Sequence, residues 1–407
     1  MGTTMGSNIM SGTEASRRSH RKPHTRATVL SWCIFSICIL LYLQLKIFPV
    51  FIPEQSRHLS ELSQFQLDRL DLGLQKCGEI RTPPVQYEIP VSPSRANPRW
   101  NPSTGQKEDM VLRNATLFDG EKFVRAVDIK FSKGIVLSIS PTSASIDFDD
   151  AIVVDLEGKY VTPGLIDMHS HHLSMSWPGL HASDDTNEMH PDFGPLTPFV
   201  RSLDGMKTDD LATAIIASGG ITSSLILPGS ANIMGGEAYM VKNLPNSGAS
   251  GEERVEDILL EHRVPASDRR RFMKMACGEN PKRVYGHTRM GNAYIFRHHM
   301  ERAKELKDKQ DAWCLSAAAA RESGNPAAIS ALVSFSKDEK GGLPEELELD
   351  SSVAMLRGKV GINIHCYEPE DFEDMLLHSK EFGLRIQAFH HALSAWKVPE
   401  LIKESGE

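Results

Sequence analysis

His169 and His171 stand two residues apart at the end of the apolar run Leu165-Ile-Asp-Met. Side chains of an extended strand alternate in direction, so both imidazoles face the same way, and two imidazoles on one face make half of a divalent metal site. Two more apolar segments end in histidine: Ile362-Asn-Ile-His365 and Ile386-Gln-Ala-Phe-His390-His391. A carboxylate is also needed to balance the cation, and the run Arg271–Cys277, closed by Gly278-Glu279, supplies Glu279. Lys274, inside that run, admits a second reading as a carboxylated lysine bridging two ions. Any one of these histidines alone reads as a hydrogen-bonded or surface side chain; their common place after apolar runs sets them apart. His172 and His181 have no such role, and the adjacent His298 and His299 read as solvated on a charged helix. The chemistry such a set suggests is hydrolysis. A divalent ion lowers the pKa of its water from 15.7 toward about 7 and polarises a carbonyl, and a general base carries the water proton to the leaving atom.

The elements that would position these residues alternate between strand and helix. Thr208–Ser218 opens with Thr, carries Asp209 and Asp210 in its first turn and stops at Gly219-Gly220, and the apolar run Ile221–Leu227 follows. Val360–Ile364 reads as a strand; Pro369-Glu-Asp then opens a helix with Phe372, Met375 and Leu376 on one face before Gly383, and Leu384–Phe389 is the next strand. Such alternation argues for a parallel sheet buried on both faces. In a parallel barrel, reactive groups gather at the C-terminal strand ends. Residues 108–160 differ: Met110–Leu117, Phe123–Phe131, Ile135–Ile139 and Ala151–Leu156 are short β-rich runs divided by Gly turns, and they predict a small β-sandwich. Gly248–Asp268 is charged and irregular, as an inserted loop would be.

Upstream, Arg17, Arg18, Arg21, Lys22 and Arg26 precede an uncharged apolar run from Ala27 to Leu45. That run is long enough to cross about 30 Å of hydrocarbon. Its cationic flank puts residues 1–26 in the cytosol as a basic tail, 27–45 in the membrane as a type II anchor, and the rest in the lumen or outside the cell. A cleaved signal peptide is the alternative; the run exceeds an ordinary signal core and no small-x-small site follows. Residues 46–107, rich in Pro and Ser, read as a stalk with a short helix over Glu61–Gln75. A net charge of −8 over 407 residues gives no basic field for nucleic acid. Cys77, Cys277, Cys314 and Cys366 are scattered and read as buried thiols, and Asn114-Ala-Thr116 is a glycosylation sequon that matters only in the lumenal orientation.

Thr162-Pro-Gly-Leu-Ile-Asp-Met-His-Ser-His171, preceded by Asp155-Leu-Glu-Gly-Lys159, resembles the amidohydrolase superfamily, and the resemblance runs from about Met110 to the C-terminus. Within it, Leu227–Gly236, Gly278–Gly286 and His391–Trp396 are similar to a fungal branch classed with carbohydrate esterase family 9. That branch is named for N-acetylglucosamine-6-phosphate deacetylation and is also similar to imidazolonepropionase-like hydrolases. The resemblance implies a (β/α)8-type metal-dependent hydrolase barrel over 161–407, incomplete at about six strands. It implies a divalent metal, zinc as one ion or two, held by His169, His171, Glu279, His365 and His391. His391 is preferred to His390 because it aligns with the family histidine before the Ala-Trp segment. Gly229, Ser230, Asn232 and Arg289 are implied to contact a small amide substrate, although the glycine suits a tight βα turn equally well.

The family's general base is an aspartate at the end of the eighth strand. Here it is expected beyond Glu407, so the chain reads as C-terminally truncated, and Asp184 and Asp185 stand in the wrong place to replace it. Two functions follow as expectations. One is a membrane-tethered hydrolase of non-peptide C–N bonds, acting on an acetamido sugar or a cyclic amide. The other is an inactive relative that serves as a metal-binding or scaffolding membrane protein. The open strand edges of an incomplete barrel further suggest pairing with a second copy.

Overall fold

The computed structural model describes residues 62–83, 96–97, 99–101, 103, 105, 107–143, 151–244, 254–334 and 341–405. The basic tail, the apolar run 27–45 and much of the stretch 46–107 lie outside the described residues. Among the described residues, no helix is long and apolar enough to cross a membrane. The chain divides into residues 1–62 and 63–407, and the description below concerns the second unit.

Helix α1 (Gln64–Arg81) falls in the stretch read as stalk, yet it is built into the domain. Ser63 and Gln66 close a capping box, each side chain accepting from the other's backbone N–H. Leu70 is fully buried, and Gly73 lies so close to the Trp313 ring that a Cβ would collide with it. Cys77 is bonded to Cys314, with Cα atoms 5.8 Å apart, and Cys277 is bonded to Cys366. Both pairings correct the reading of free thiols. The partners are 237 and 89 residues apart in sequence, and separations of that size carry no spacing signature.

Strands β1 (Asp109–Phe118), β2 (Phe123–Ser132) and β3 (Ile135–Pro141) form an antiparallel meander, and β4 (Ile152–Asp155) and β5 (Tyr160–Val161) both run parallel to β1. Ala115, Leu117, Val127 and Ile129 form the buried core of this sheet, while Phe123, Ile139 and Val153 are exposed. Of the expected sandwich, one five-stranded sheet is present among the described residues.

The remainder comprises β6 (Leu165–Ser170), α2 (Ala212–Ser218), β7 (Ile221–Ile226), β8 (Met234–Lys242), α3 (Arg254–Ile258), β9 (Arg271–Ala276), α4 (Glu279–Tyr285) and α5 (Arg289–Ser323). After these come α6 (Pro326–Val333), α7 (Asp350–Leu356), β10 (Val360–Cys366), α8 (Pro369–Phe382), β11 (Ile386–His391) and α9 (Pro399–Ser405). The six strands lie side by side in chain order from β6 to β11. The sheet is not wholly parallel: β8 runs antiparallel to both β7 and β9. Residues 227–233 between β7 and β8 are too few for a crossover helix, which needs a dozen or more, so the chain turns straight back.

Helix α5 buries Phe296, Met300, Ala303, Leu306, Gln310 and Trp313, a three-and-four spacing that lays one stripe against the domain. Thr288 caps its start and Gly324, in the left-handed region, ends it. Helix α8 follows the sequence expectation, with Phe372, Met375 and Leu376 buried and Gly383 at its C-cap. Helix α2 starts later than the Thr208 signal suggests. Asp210 is buried instead, accepting from the backbone N–H groups of Leu173, Trp177 and Ala212, and so it ties the segment after β6 to the helix start.

Candidate functional site

The histidines of β6, β10 and β11 converge at the C-terminal ends of the strands. His169 and His171 point the same way, as alternation requires, with their Nε2 atoms 3.2 Å apart. Nδ1 of His171 donates to the Leu227 carbonyl at 2.9 Å, which leaves its Nε2 lone pair turned toward His169. His390 is buried, and its Nε2 lies 2.9 Å from Oδ1 of Asn363. A proton held on Nε2 by that bond leaves Nδ1 bare, 2.7 Å from Nδ1 of His169. Fixing a ring's tautomer through its second nitrogen is what a partner of a metal-binding histidine does.

His391 joins the cluster by a backbone device. Neighbouring residues in a strand face opposite sides, yet His391 has φ 62° and Ala392 φ 45°, a region that non-glycine residues seldom occupy. The strand breaks there and the ring turns back, its centroid 4.5 Å from that of His169 and 4.9 Å from that of His365. Both His390 and His391 therefore reach the site, whereas the sequence reading prefers His391 alone.

A second group forms where β9 and β10 end. His365 is buried, and its Nε2 lies 2.5 Å from Oε1 of Glu279. Oε2 of Glu279 and Nδ1 of His365 are both buried without a hydrogen-bond partner. Glu279 is the first residue of α4, set there by Gly278 at φ 70°. A Cβ on Gly278 would strike the carboxylate of Asp371. Asp371 is 2% exposed and gripped by Arg289, with Nε to Oδ1 at 2.6 Å and the second guanidinium nitrogen to Oδ2 at 3.0 Å.

Burial dominates the electrostatics. It holds His169 at about 2, well below the usual imidazole range, with repulsion from Lys274 and the neighbouring histidines added. His390 is pushed down to about 4 by burial and then by Lys274. His171 is lowered by burial against the opposing Leu227 carbonyl, and His391 by burial and then His365. Lys274 is fully buried, and burial alone lowers it to about 7; its Nζ has the Pro228 carbonyl at 3.4 Å. These rings are neutral near pH 7, the protonation state a metal ligand needs.

The residues expected to touch substrate each have partners within the chain. Arg289 is engaged with Asp371. Asn232 is 1% exposed and donates to the Glu188 carbonyl at 2.8 Å, which organises the loop after β7. A Cβ on Gly229 would meet the side chain of Asn187. Ser230 stays at the site, accepting from Asn280 at 2.9 Å, and Asn280 also lies 3.2 Å from Nε2 of His365. His172 and His299 are both buried and hydrogen-bonded, His172 to Ser170 at 2.6 Å and His299 to Ser352 at 2.8 Å. The reading of His299 as solvated is thereby corrected. A residue between exposed Arg297 and His298 and buried Met300 sits at the border of the α5 stripe, where sequence alone does not assign the side.

The donor set suits a divalent cation. Zinc with Zn–N of about 2.05 Å in tetrahedral geometry spaces its nitrogens by about 3.3 Å, close to the 3.2 Å between Nε2 of His169 and Nε2 of His171. The unpartnered oxygen of Glu279 and nitrogen of His365 are further donors. Among the described residues, however, no group of three or more His, Cys, Asp or Glu side chains is already arranged around one point. The donors stand as two neighbouring groups, His169 with His171 and His390, and Glu279 with His365, with the ring of His391 between them.

No protein-family profile matches the chain. It is 38% identical to amidohydrolase tasK of Hapsidospora irregularis over 364 residues, which are 83% of this chain and 34% of that protein. It is 27% identical over 161 residues to an imidazolonepropionase of Methylobacterium nodulans, covering 36% of this chain and 40% of that protein. A crystal structure of an amidohydrolase from Thermotoga maritima superimposes with a TM-score of 0.56 at 28% identity, over 72% of this chain and 67% of that one. The chain thus spans about a third of the length of tasK. Most of its own length resembles amidohydrolases, and its barrel unit has an amidohydrolase-like α/β fold.

Proposed function

We propose that this chain carries the metal-binding part of an amidohydrolase, which cleaves a non-peptide C–N bond with activated water. The observation that carries the reading is the convergence of five histidines and Glu279 at the ends of β6, β9, β10 and β11. His169, His171, Glu279, His365 and the His390–His391 pair would hold the ion, and zinc suits their nitrogen-rich set. When bound, the ion supplies Lewis-acid polarisation of the scissile carbonyl and an acidified water. The chain's own residues do the rest: Leu227 and Asn363 fix the tautomers of His171 and His390. Asn280, within reach of Ser230 and His365, can orient a carbonyl or amide. Lys274 lies close enough to the histidines to depress their protonation and, as a carboxylated side chain, would add an oxygen ligand.

For substrate, we carry forward the deacetylation of an acetamido sugar, on the likeness of the Leu227–Gly236 and Gly278–Gly286 segments to the esterase branch. Ring opening of a cyclic amide is the second reading, supported by the imidazolonepropionase relative. Incubating zinc-loaded chain with N-acetylglucosamine 6-phosphate and with an imidazolone separates them: acetate release supports the first, loss of the ring chromophore the second. Zinc binding with neither product supports the inactive, metal-binding alternative.

We further propose that the domain works on the lumenal or extracellular side of a membrane, anchored through residues 27–45. The Cys77–Cys314 bond supports this, because such bonds persist in oxidising compartments. A glycosidase-sensitive mass shift at Asn114 in the expressing cell tests it; an unmodified Asn114 together with free Cys77 contradicts it.

A further inference from the structure

At the opposite end of the sheet, the strands begin around a cavity of about 1250 Å³. Arg271 opens β9, Lys359 immediately precedes β10 and Arg385 immediately precedes β11, and all three line the cavity. Strands of six and seven residues place it about 20 Å from the histidines. Adjacent strands are about 4.8 Å apart, and Arg271 pairs with Val360 while Ile386 pairs with Ile362, so the three cations stand on neighbouring strands within two residues of one level. Arg357, at the end of α7, is a fourth. Phe272, Leu306 and Val353 supply apolar lining.

The lining carries seven basic side chains against five acidic ones, and two of the acids neutralise cations of the lining itself. Glu345 is paired with Lys76, Asp350 with Arg271 at 2.8 Å, and Glu346 with Arg302. Arg271 is further held by buried Glu237. Lys359, Arg385 and Arg357 are less well balanced. Lys359 bonds to the Glu79 backbone carbonyl and to no carboxylate among the described residues. Arg385 makes no ion pair or side-chain hydrogen bond among the described residues. The Arg357 side chain is 9% exposed; it pairs with Asp311 at 2.9 Å, but its Nε is buried without a partner. Burial disfavours the Lys359 charge, and Arg357 and Arg271 repel it further. An anion with several acceptor oxygens would relieve that repulsion and satisfy the open donors at once, and arginine and lysine donors gathered at one cavity match a phosphoryl group.

We propose that this cavity is a second site, separate from the histidine cluster, that binds a phosphate-bearing anion through Arg357, Lys359 and Arg385. A free phosphate ester and an anionic lipid headgroup present the same chemistry.

The test uses the full chain and inorganic pyrophosphate, read by thermal denaturation and calorimetry against sodium chloride of equal ionic strength. Pyrophosphate is expected to raise Tm beyond the chloride control. Lys359→Met with Arg385→Gln is expected to weaken binding about tenfold for each cationic side chain removed. His169→Ala should leave pyrophosphate binding unchanged, so failure of this site and failure of the proposed metal centre are distinguishable. Co-sedimentation with phosphatidylcholine vesicles, with and without phosphatidic acid, identifies the source. Binding that needs phosphatidic acid and disappears in the double variant points to a lipid headgroup; pyrophosphate binding without vesicle binding points to a soluble ester. The proposal is overturned if pyrophosphate acts no differently from chloride, or if the double variant binds it as well as the parent. The cations would then serve only the C-terminal carbonyls of α7 and α8.

Discussion

Nδ1 of His169 lies 2.7 Å from Nδ1 of His390, although the two residues belong to the first and last strands of the six-stranded sheet. The sheet therefore curls until its edge strands meet side chain to side chain at their C-terminal ends. Residues 221 positions apart in the chain become one group of donors. Neither ring gains much from the contact by itself, because two neutral imidazoles share at most one proton between those nitrogens. The arrangement makes sense as a set of lone pairs awaiting a cation.

Asn363 governs how His390 takes part. Its Oδ1 is the partner of His390 Nε2, so Asn363→Ala frees the ring to rotate or change tautomer. Losses of this kind cost about 10–100-fold in metal affinity. Competition with a chromophoric zinc chelator measures it; an unchanged affinity would mean that His390 Nδ1 does not face the ion.

Gly278 is the hinge on which Glu279 hangs. With φ 70° and the Asp371 carboxylate against its α-carbon, Gly278→Ala should cost about 1–3 kcal/mol in urea unfolding. In an Asp371→Ala background the collision disappears and only the backbone part should remain, so the two effects couple. Strict additivity would contradict the contact.

His299 makes stability depend on pH away from the site. Burial, with Arg302 second, pushes its folded pKa down to about 4 from an ordinary 6.5. Burial favours the neutral ring, whose Nε2 lies 2.8 Å from Oγ of Ser352. Its contribution is present above the unfolded value and is lost as pH falls from about 6.5 to about 4, up to about 3 kcal/mol. His299→Gln should flatten the Tm profile across that window; an unchanged slope would rule out this source.

Much of the site is legible in the sequence for simple reasons. His169-x-His171 shows itself because strands have a period of two, and Glu279 and His365 because each closes an apolar run. The features that resist reading depend on contacts between distant residues or on single dihedral angles. Nothing in Phe389-His390-His391-Ala392 announces the positive φ that turns the His391 ring back to join His390. The reversal at β8 depends on a short connection whose glycines read equally well as a βα turn. The grip of Arg289 on Asp371 is likewise invisible in the sequence, because the two lie 82 positions apart.

The bond between Cys77 and Cys314 resists reading for the same reason, and it closes a loop of 237 residues. Long closed loops stabilise most in the chain-entropy account. Cys77→Ser should lower stability by about 2–5 kcal/mol and expose α1 to proteolysis; equal Tm values with and without reductant would contradict the bond's structural role.

The central claim is that the strand-end histidines bind a metal, and metal content tests it most directly. Full chain reconstituted with zinc and passed through a desalting column should retain the ion in stoichiometric amount by elemental analysis. His169→Ala and His171→Ala should each lose it while keeping the far-UV circular dichroism of the parent. A folded parent chain that retains no zinc, or variants that retain as much as the parent, would contradict the account.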